Sequence, residues 1–466
     1  MANTLLTIDM ILRRALMVLE NNLVVAKFVN REYDNSFAAS GAKIGQSLRI
    51  RIPPRTTVTE SVTFVAQDQV EEFTTLTVDK QHHVGMSFTQ QELTLSVDDF
   101  SERFVEPAMA SLANNIDKTV LAEYWNIYNS VGTPGTTPGS SAGAPATAAA
   151  ALFTYGSAMA KMDHEAVNRD DRRAMIVEPT ANVMLVAALS GLFHSSTEVE
   201  QQYREGNMGL AMGAKFSMDQ NVAVHTVGPL GGTPLCDGVP AEGATTLLTK
   251  GWTAAAASRL VRGDVFTIAN VYAVNPQSRA STGQLRQFVV TANFSSGAGG
   301  GGTISISPEI RSTGARQTVN SLPADNAALT VLGAAATVSP QNMLLHKDCI
   351  TLACVDLENP MGYGAWGGRI SSRKLGISMT MARQYDIDST AFKTRVDVLF
   401  VRQETRPARP SGFVLFDHRM KRRAAMTGCP AIRDQLEDVQ PPLRVSQHAD
   451  QADGILRPSD RAQIGR

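Results

Sequence analysis

The sequence predicts an α+β fold interrupted by a separate all-β insertion, and three observations predict it. Residues 97–126 (VDDFSERFVEPAMASLANNIDKTVLAEYWN) carry one long helical stripe. Residues 46–88 switch to a period of two. Residues 233–340 hold only short β-rich runs between turn signals, and mixed α/β patterning resumes after them.

The N-terminal segment, Thr4 to Val29, keeps helical spacing through Ile8, Ile11, Leu12, Ala15, Leu16, Leu19 and Leu23, and Asn21-Asn22 is a candidate break. Asn30 to Gly45 loses periodicity and reads as a loop. From Gln46, Leu48, Ile50 and Ile52 alternate with Arg49 and Arg51 until Pro53-Pro54 stops the strand. A second alternation covers Thr74 to Phe88. The expectation is one long two-stranded ribbon whose tip, between Arg55 and Phe73, has no core-sized apolar face. An isolated ribbon is marginal in water. With no seat evident in this chain, a neighbouring subunit is its expected support. Arg49, Arg51 and Arg55 at the base, with Glu60, Glu71 and Glu72 toward the tip, are the candidate intersubunit contacts.

In the long helix, Phe104, Ala108, Leu112, Ile116, Val120 and Tyr124 recur every four residues, and Pro107 suits a first turn. Asn115, Asp117, Lys118 and Glu123 are expected to face elsewhere. Val131 to Ala151 is low in complexity and reads as a loop. A helix over Leu152 to Ala166, a buried strand AMIV (Ala174 to Val177), a helix opening at Pro179 and strands up to Gly228 follow. Asn342 to Leu357 is expected to begin as a helix, and Lys374 to Val401 as two strands. Residues 417–466 lose all pattern and read as a loosely docked tail.

Composition narrows function. Net charge is −1, so the chain as a whole is not a nucleic-acid clamp. Cys236, Cys349, Cys354 and Cys429 are too few and scattered for a disulfide framework, and are expected to be reduced. No apolar run is long enough to span a bilayer, and MANTLLTIDM does not read as a signal peptide. No catalytic, cofactor or metal motif stands out. His346-Lys347-Asp348-Cys349 are adjacent and point different ways, so they do not converge on one ligand. His82-His83 reads as strand surface, Arg262-Gly263-Asp264 as a turn into a strand, and Lys421-Arg422-Arg423 as solvated tail.

The order of these elements resembles the major capsid proteins of tailed bacteriophages with the HK97-type fold, most closely the podophage coat proteins with an inserted β-barrel. The segments that carry the resemblance are EGNMGLAMGAKFSMDQNV (Glu205 to Val222), RGDVFTIANVYAVNP (Arg262 to Pro276) with QFVVTANF, QNMLLHKDCITLA (Gln341 to Ala353) and ARQYDIDSTAFKTRVDVLFVRQETRP (Ala382 to Pro407). The tail after about Phe416 departs from such proteins.

The resemblance implies an N-terminal arm (1–45), an E-loop ribbon (46–96), a spine helix with the peripheral domain (97–130), a first axial-domain part (131–232), the inserted barrel (233–340), the return of both domains (341–416) and the tail (417–466). It implies a non-enzymatic subunit, without cofactor, that assembles with itself as pentamers and hexamers of an icosahedral shell around double-stranded DNA. DNA contact would be non-specific, and no membrane is involved. A scaffolding protein and a portal protein are the implied partners, with assembly in the host cytoplasm. Cross-linked capsids use a ribbon lysine, for which Lys80 is the candidate within residues 56–90. The alternatives are an encapsulin-type compartment carrying enzyme cargo, and a hydrolase using His346, Asp348 or His194.

Overall fold

The computed structural model describes residues 8–30, 47–52, 54–66, 72–89, 101–136, 140–141, 144–145, 147–189, 209–254, 256–358, 365–372 and 375–404. All lie in one compact unit, Met1–His418. The expected tail, the loop from 31 to 45, Glu71, His194 and Lys421-Arg422-Arg423 lie outside the described residues.

Two helices form the centre. Helix α1 (Ile8–Asn22) ends at the Asn pair, and a 3-10 turn, Val25–Lys27, follows. Helix α2 (Glu106–Leu121) is entered through a π-type turn, Ser101–Val105, and leaves through a 3-10 turn, Ala122–Asn126. Leu12, Ala15, Leu16, Leu19 and Leu23 of the N-terminal segment are buried in the same core as Met109, Leu112, Ala113, Ile116 and Val120. The apolar stripe of α1 is therefore covered within its own subunit. A four-residue spacing gains about 40° per step on a helix of about 100° per residue, so the expected stripe drifts off the buried face at its ends. Phe104 is accordingly 41% exposed and packs edge-on against Phe88. Asp117 and Glu123 do not face away as expected: both are buried, because the segment after α1 covers one and Arg402 the other.

The expected single ribbon is two separate pairings. Ser47–Ile52 pairs antiparallel with Glu72–Thr77, and Val78-Asp79 follow outside any strand. Lys80–Thr89 instead runs along the long strand Ala391–Glu404. The other edge of that strand takes Ser378–Asp386 and, further on, Ile350–Val355, while Trp366–Ser371 completes the sheet. The helix expected from Asn342 is also absent: Met343–His346 and Ile350–Val355 are strands. Both are almost wholly buried, and a short apolar run buried on both faces has no period that separates strand from helix.

A four-stranded sheet, in the order Met343–His346, Arg173–Val177, Ala214–Met218, Leu210–Ala211, joins its second and third strands in parallel. Helices α3 (Ala148–His164) and α4 (Pro179–Leu189) supply Tyr155, Met159, Met162, Ala181 and Leu185 to the core it shares. Thr147 caps α3 by accepting from the Ala150 N–H.

Among the described residues of 232–340 the only regular elements are strands. Six strands lie in the order Gly232–Cys236, Ala244–Trp252, Gly302–Ile310, Ser281–Val290, Val265–Val274, Leu329–Val331. The two end strands meet where Leu235 bridges Ala328, with the Cys236 N–H donating to the Ala327 carbonyl at 2.9 Å. Phe266, Ile268, Phe288, Ile304, Ile306 and Trp252 fill the space they enclose.

Candidate assembly surface

The base of the ribbon is held by its own subunit. Leu76 is fully buried against Ala353 and Val401, so the expectation that nothing in the chain supports the ribbon is corrected. The alternation of residues 72–77 puts Thr74 and Leu76 inward and Phe73, Thr75 and Thr77 outward.

The tip is different. After the proline pair, residues 54–66 form no helix or strand. Val58 is 92%, Val62 107% and Phe64 89% exposed. Val65 beside them is half open, and each of the first three forgoes about 1.5–3 kcal/mol relative to burial. One described tie to the rest of the subunit is the Arg279 guanidinium donating to the Thr56 carbonyl at 3.3 Å.

The candidate contact residues fall on both parts. In register, Arg49 lies opposite Thr75, Arg51 opposite Phe73, and Glu72 opposite Ile52. Glu60 is exposed on the tip and Arg55 half-buried at its start. The structure thus brings Arg49, Arg51 and Glu72 onto one ribbon and leaves Arg55 and Glu60 beyond it. The apolar trio Val58, Val62 and Phe64 was missed by charge-based reasoning. Its signal was present as hydrophobes embedded in a Thr-, Ser- and Glu-rich stretch that nothing else explained.

The remaining candidates are structural. His346 Nε2 meets Asp170 Oδ1 at 3.0 Å, the Lys347 N–H donates to the Arg172 carbonyl, and Cys349 is buried, which clamps the RDDRR turn. Burial pushes the His346 pKa down, against the pull of Asp170 and Asp348. His82 packs edge-on against Phe400 at 4.9 Å, while His83 faces outward. Lys80 pairs with its neighbour Asp79 at 2.9 Å. Asp264 of the Arg-Gly-Asp tripeptide is buried, accepts from the Val261 and Gly228 N–H groups, and meets His225 Nε2 at 2.9 Å. Gly263 takes φ +100°, a conformation L side chains rarely adopt. Among the described residues, no group of three or more His, Cys, Asp or Glu is placed to hold a metal ion, and no helix is long and apolar enough to cross a membrane.

A second polar cluster, also missed, lies beneath α1. Asp117 Oδ2 accepts from the Val24 N–H at 2.7 Å and Oδ1 from the Ala26 N–H at 3.0 Å. Burial, with the nearby Asp219 adding to it, raises its pKa to about 7 against the pull of those donors. Asn221 ties the Asp219 turn to Asn114 of α2 at 3.3 Å. The stripe of α2 puts Asp117 off its apolar face, and the segment after α1 covers that side as well.

The subunit thus holds three large separate cores and exposes Val58, Val62 and Phe64 to water. Residues 1–414 match the family described as P22 coat protein, gene protein 5, and the chain belongs to that family. It is a bacteriophage major capsid protein that self-assembles into the icosahedral shell of the virion. This family assignment does not favour an encapsulin-type compartment, and it suggests a structural protein, not an enzyme. A solved structure from Mycobacterium phage Che8 is 12% identical with TM-score 0.39, covering 83% of this chain and 89% of its own. The capsid of Ralstonia phage GP4 is 6% identical with TM-score 0.40, covering 82% and 84%. The CUS-3 coat protein I-domain is 25% identical over 22% of this chain and 98% of its own, with TM-score 0.17. No curated protein matches. Family membership rests on the family match, not on these distant likenesses.

Proposed function

We propose that the subunit takes the HK97-type arrangement and that the tip at residues 54–66 is the arm each subunit lays on its neighbour. In this reading α1 belongs to the N-terminal segment 1–45, and 46–96 is the E-loop with its flanks. Residues 97–130 are the spine and peripheral part. Residues 131–232 and 341–416 build the axial and returning peripheral parts around an inserted barrel, 233–340. The observation that carries the arm is the exposure of Val58, Val62 and Phe64 on a ribbon whose base is anchored at Leu76. The barrel reading is supported by end strands that meet at Leu235 and Ala328. Arg49, Arg51, Arg55, Glu60, Glu71 and Glu72 would flank the contact, each exposed pair contributing roughly 0–1 kcal/mol, so apolar burial supplies most of the affinity.

A scaffolding protein would guide closure, a portal would take one vertex, and assembly would occur in the host cytoplasm. Packaged double-stranded DNA would be touched non-specifically, consistent with a net charge of −1. The test is sedimentation and electron microscopy of purified protein, alone and with scaffolding protein. Closed shells, sheets or tubes are expected. A monodisperse 50-kDa species at high concentration with scaffold present would overturn the reading.

A further inference from the structure

The all-β part of the chain has a core of its own. Every residue of that core, including those packed at its edge, lies between Leu230 and Val331. None of these residues belongs to the core around α1 and α2 or to the core that α3 and α4 share with the four-stranded sheet. The chain enters and leaves through one narrow neck, where Val224–Thr226 pairs antiparallel with Val338–Pro340.

Beside the neck runs a seam of polar contacts. Arg286, on the strand Ser281–Val290, is buried and donates to Glu165 Oε1 at 2.7 Å and to the Tyr128 hydroxyl, with its guanidinium over the Tyr128 ring. The Lys161 ammonium donates to the Ser130 carbonyl at 2.7 Å and to Gln287 Oε1. Gln287 is doubly engaged, accepting from the Ser130 N–H at 2.8 Å and donating to its carbonyl at 3.1 Å. Closer to the neck, Arg262 lies over the Trp125 ring at 4.2 Å and donates to Asn126 Oδ1, while His225 bridges Tyr124 and Asp264. Every body residue in these contacts except His225 of the neck lies at the end of the spine, in the loop after it, or on α3 and its cap.

Buried ion pairs add little net stability compared with apolar packing, yet breaking one leaves an uncompensated charge. They fix geometry more than they supply energy. Polar contacts between separately cored parts of a chain are also the kind that allow relative motion. We infer that the Arg286–Glu165–Tyr128 and Lys161–Gln287–Ser130 contacts form a latch that fixes the angle of the 233–340 unit on its two-stranded neck. Released, the unit would turn as a rigid body without losing its core. The inference rests on reading 233–340 as a domain.

The test uses the full-length chain, unassembled, with Cys429→Ser and spin labels at Ser111→Cys on α2 and Thr246→Cys on the all-β unit. The native cysteines Cys236, Cys349 and Cys354 are buried and stay unlabelled. The distance distribution is measured beside amide exchange for this parent, for the paired variant Glu165→Met/Arg286→Met and for Lys161→Met. The parent should give one narrow distance. Both variants should broaden or shift it, with exchange at residues 124–130 and 285–287 faster by about tenfold. Exchange at the core strands around Phe266 and Ile304 should stay unchanged. An unchanged distance with unchanged core protection would overturn the latch and leave the domain reading standing. Loss of core protection together with the seam, in both variants, would overturn the domain reading itself.

Discussion

Replacing Asp117 by Asn separates two forces that act on one buried carboxyl. Two backbone N–H groups, from Val24 and Ala26, favour its charged form, while burial and Asp219 oppose it. The balance leaves a folded-state pKa of about 7 against an ordinary 3.8. Since the folded value is the higher, the folded state keeps a proton that the unfolded chain has already lost. The stabilisation is complete below about pH 4 and is lost as pH rises through about 7. A difference of about three units corresponds to about 4 kcal/mol. Asn cannot titrate, but its amide serves only one of the two N–H donors, and the orphaned one costs about 1–3 kcal/mol. At about pH 4 the variant should therefore be the less stable protein. By about pH 8 the difference should have moved in its favour by about 4 kcal/mol. Urea unfolding of unassembled subunits across this range, for parent and variant, measures the difference directly. If the two stability curves stay parallel from about pH 4 to 8, Asp117 is ionised in the folded state and the N–H cradle outweighs burial.

Leu19→Ala, in the fully buried face of α1, should cost about 2–5 kcal/mol in urea unfolding; a change near zero would mean that α1 is not part of the subunit core. Arg402→Met should cost about 3–5 kcal/mol, because it removes the charge partner of the buried Glu123 carboxylate, met at 2.6 Å, and leaves it the neutral Asn126 amide. A loss under about 1 kcal/mol would place that pair among surface ion pairs. Val62→Ser with Phe64→Ser should leave subunit melting within about 0.5 kcal/mol, since both side chains are already in water, yet sharply reduce the yield of closed shells seen by electron microscopy. A large loss of subunit stability would show that these side chains pack within their own chain.

The elements with a strong period were legible in the sequence. The spine helix, α1 with its Asn-Asn end, the buried strand AMIV and the turn-punctuated strands of 233–340 lie where the residues put them, while α3 begins four residues earlier than expected, at Ala148, inside the stretch read as a loop. Pairing was less legible, because a period of two says which face a strand shows and not which strand it joins. That is why residues 80–89 were drawn into the ribbon when their partner lies some 300 residues later in the chain, at Ala391–Glu404. The strand at Met343 was read as helix because full burial erases the period. Asp117 was misplaced because its burial depends on a segment far away in sequence. The charged residues of the ribbon stand out in the sequence, while Val58, Val62 and Phe64 give only the weaker signal of hydrophobes in a polar stretch that their exposure then explains.

Replacing residues 57–66 with a short Gly-Ser linker tests the central claim most directly, because it removes the exposed arm and keeps the paired strands 47–52 and 72–77. Circular dichroism melting and electron microscopy are run on the same preparation, with scaffolding protein supplied. The account predicts a subunit that melts as the parent does and forms no closed shells. Normal shells from the shortened chain would contradict it, and so would a subunit that no longer folds.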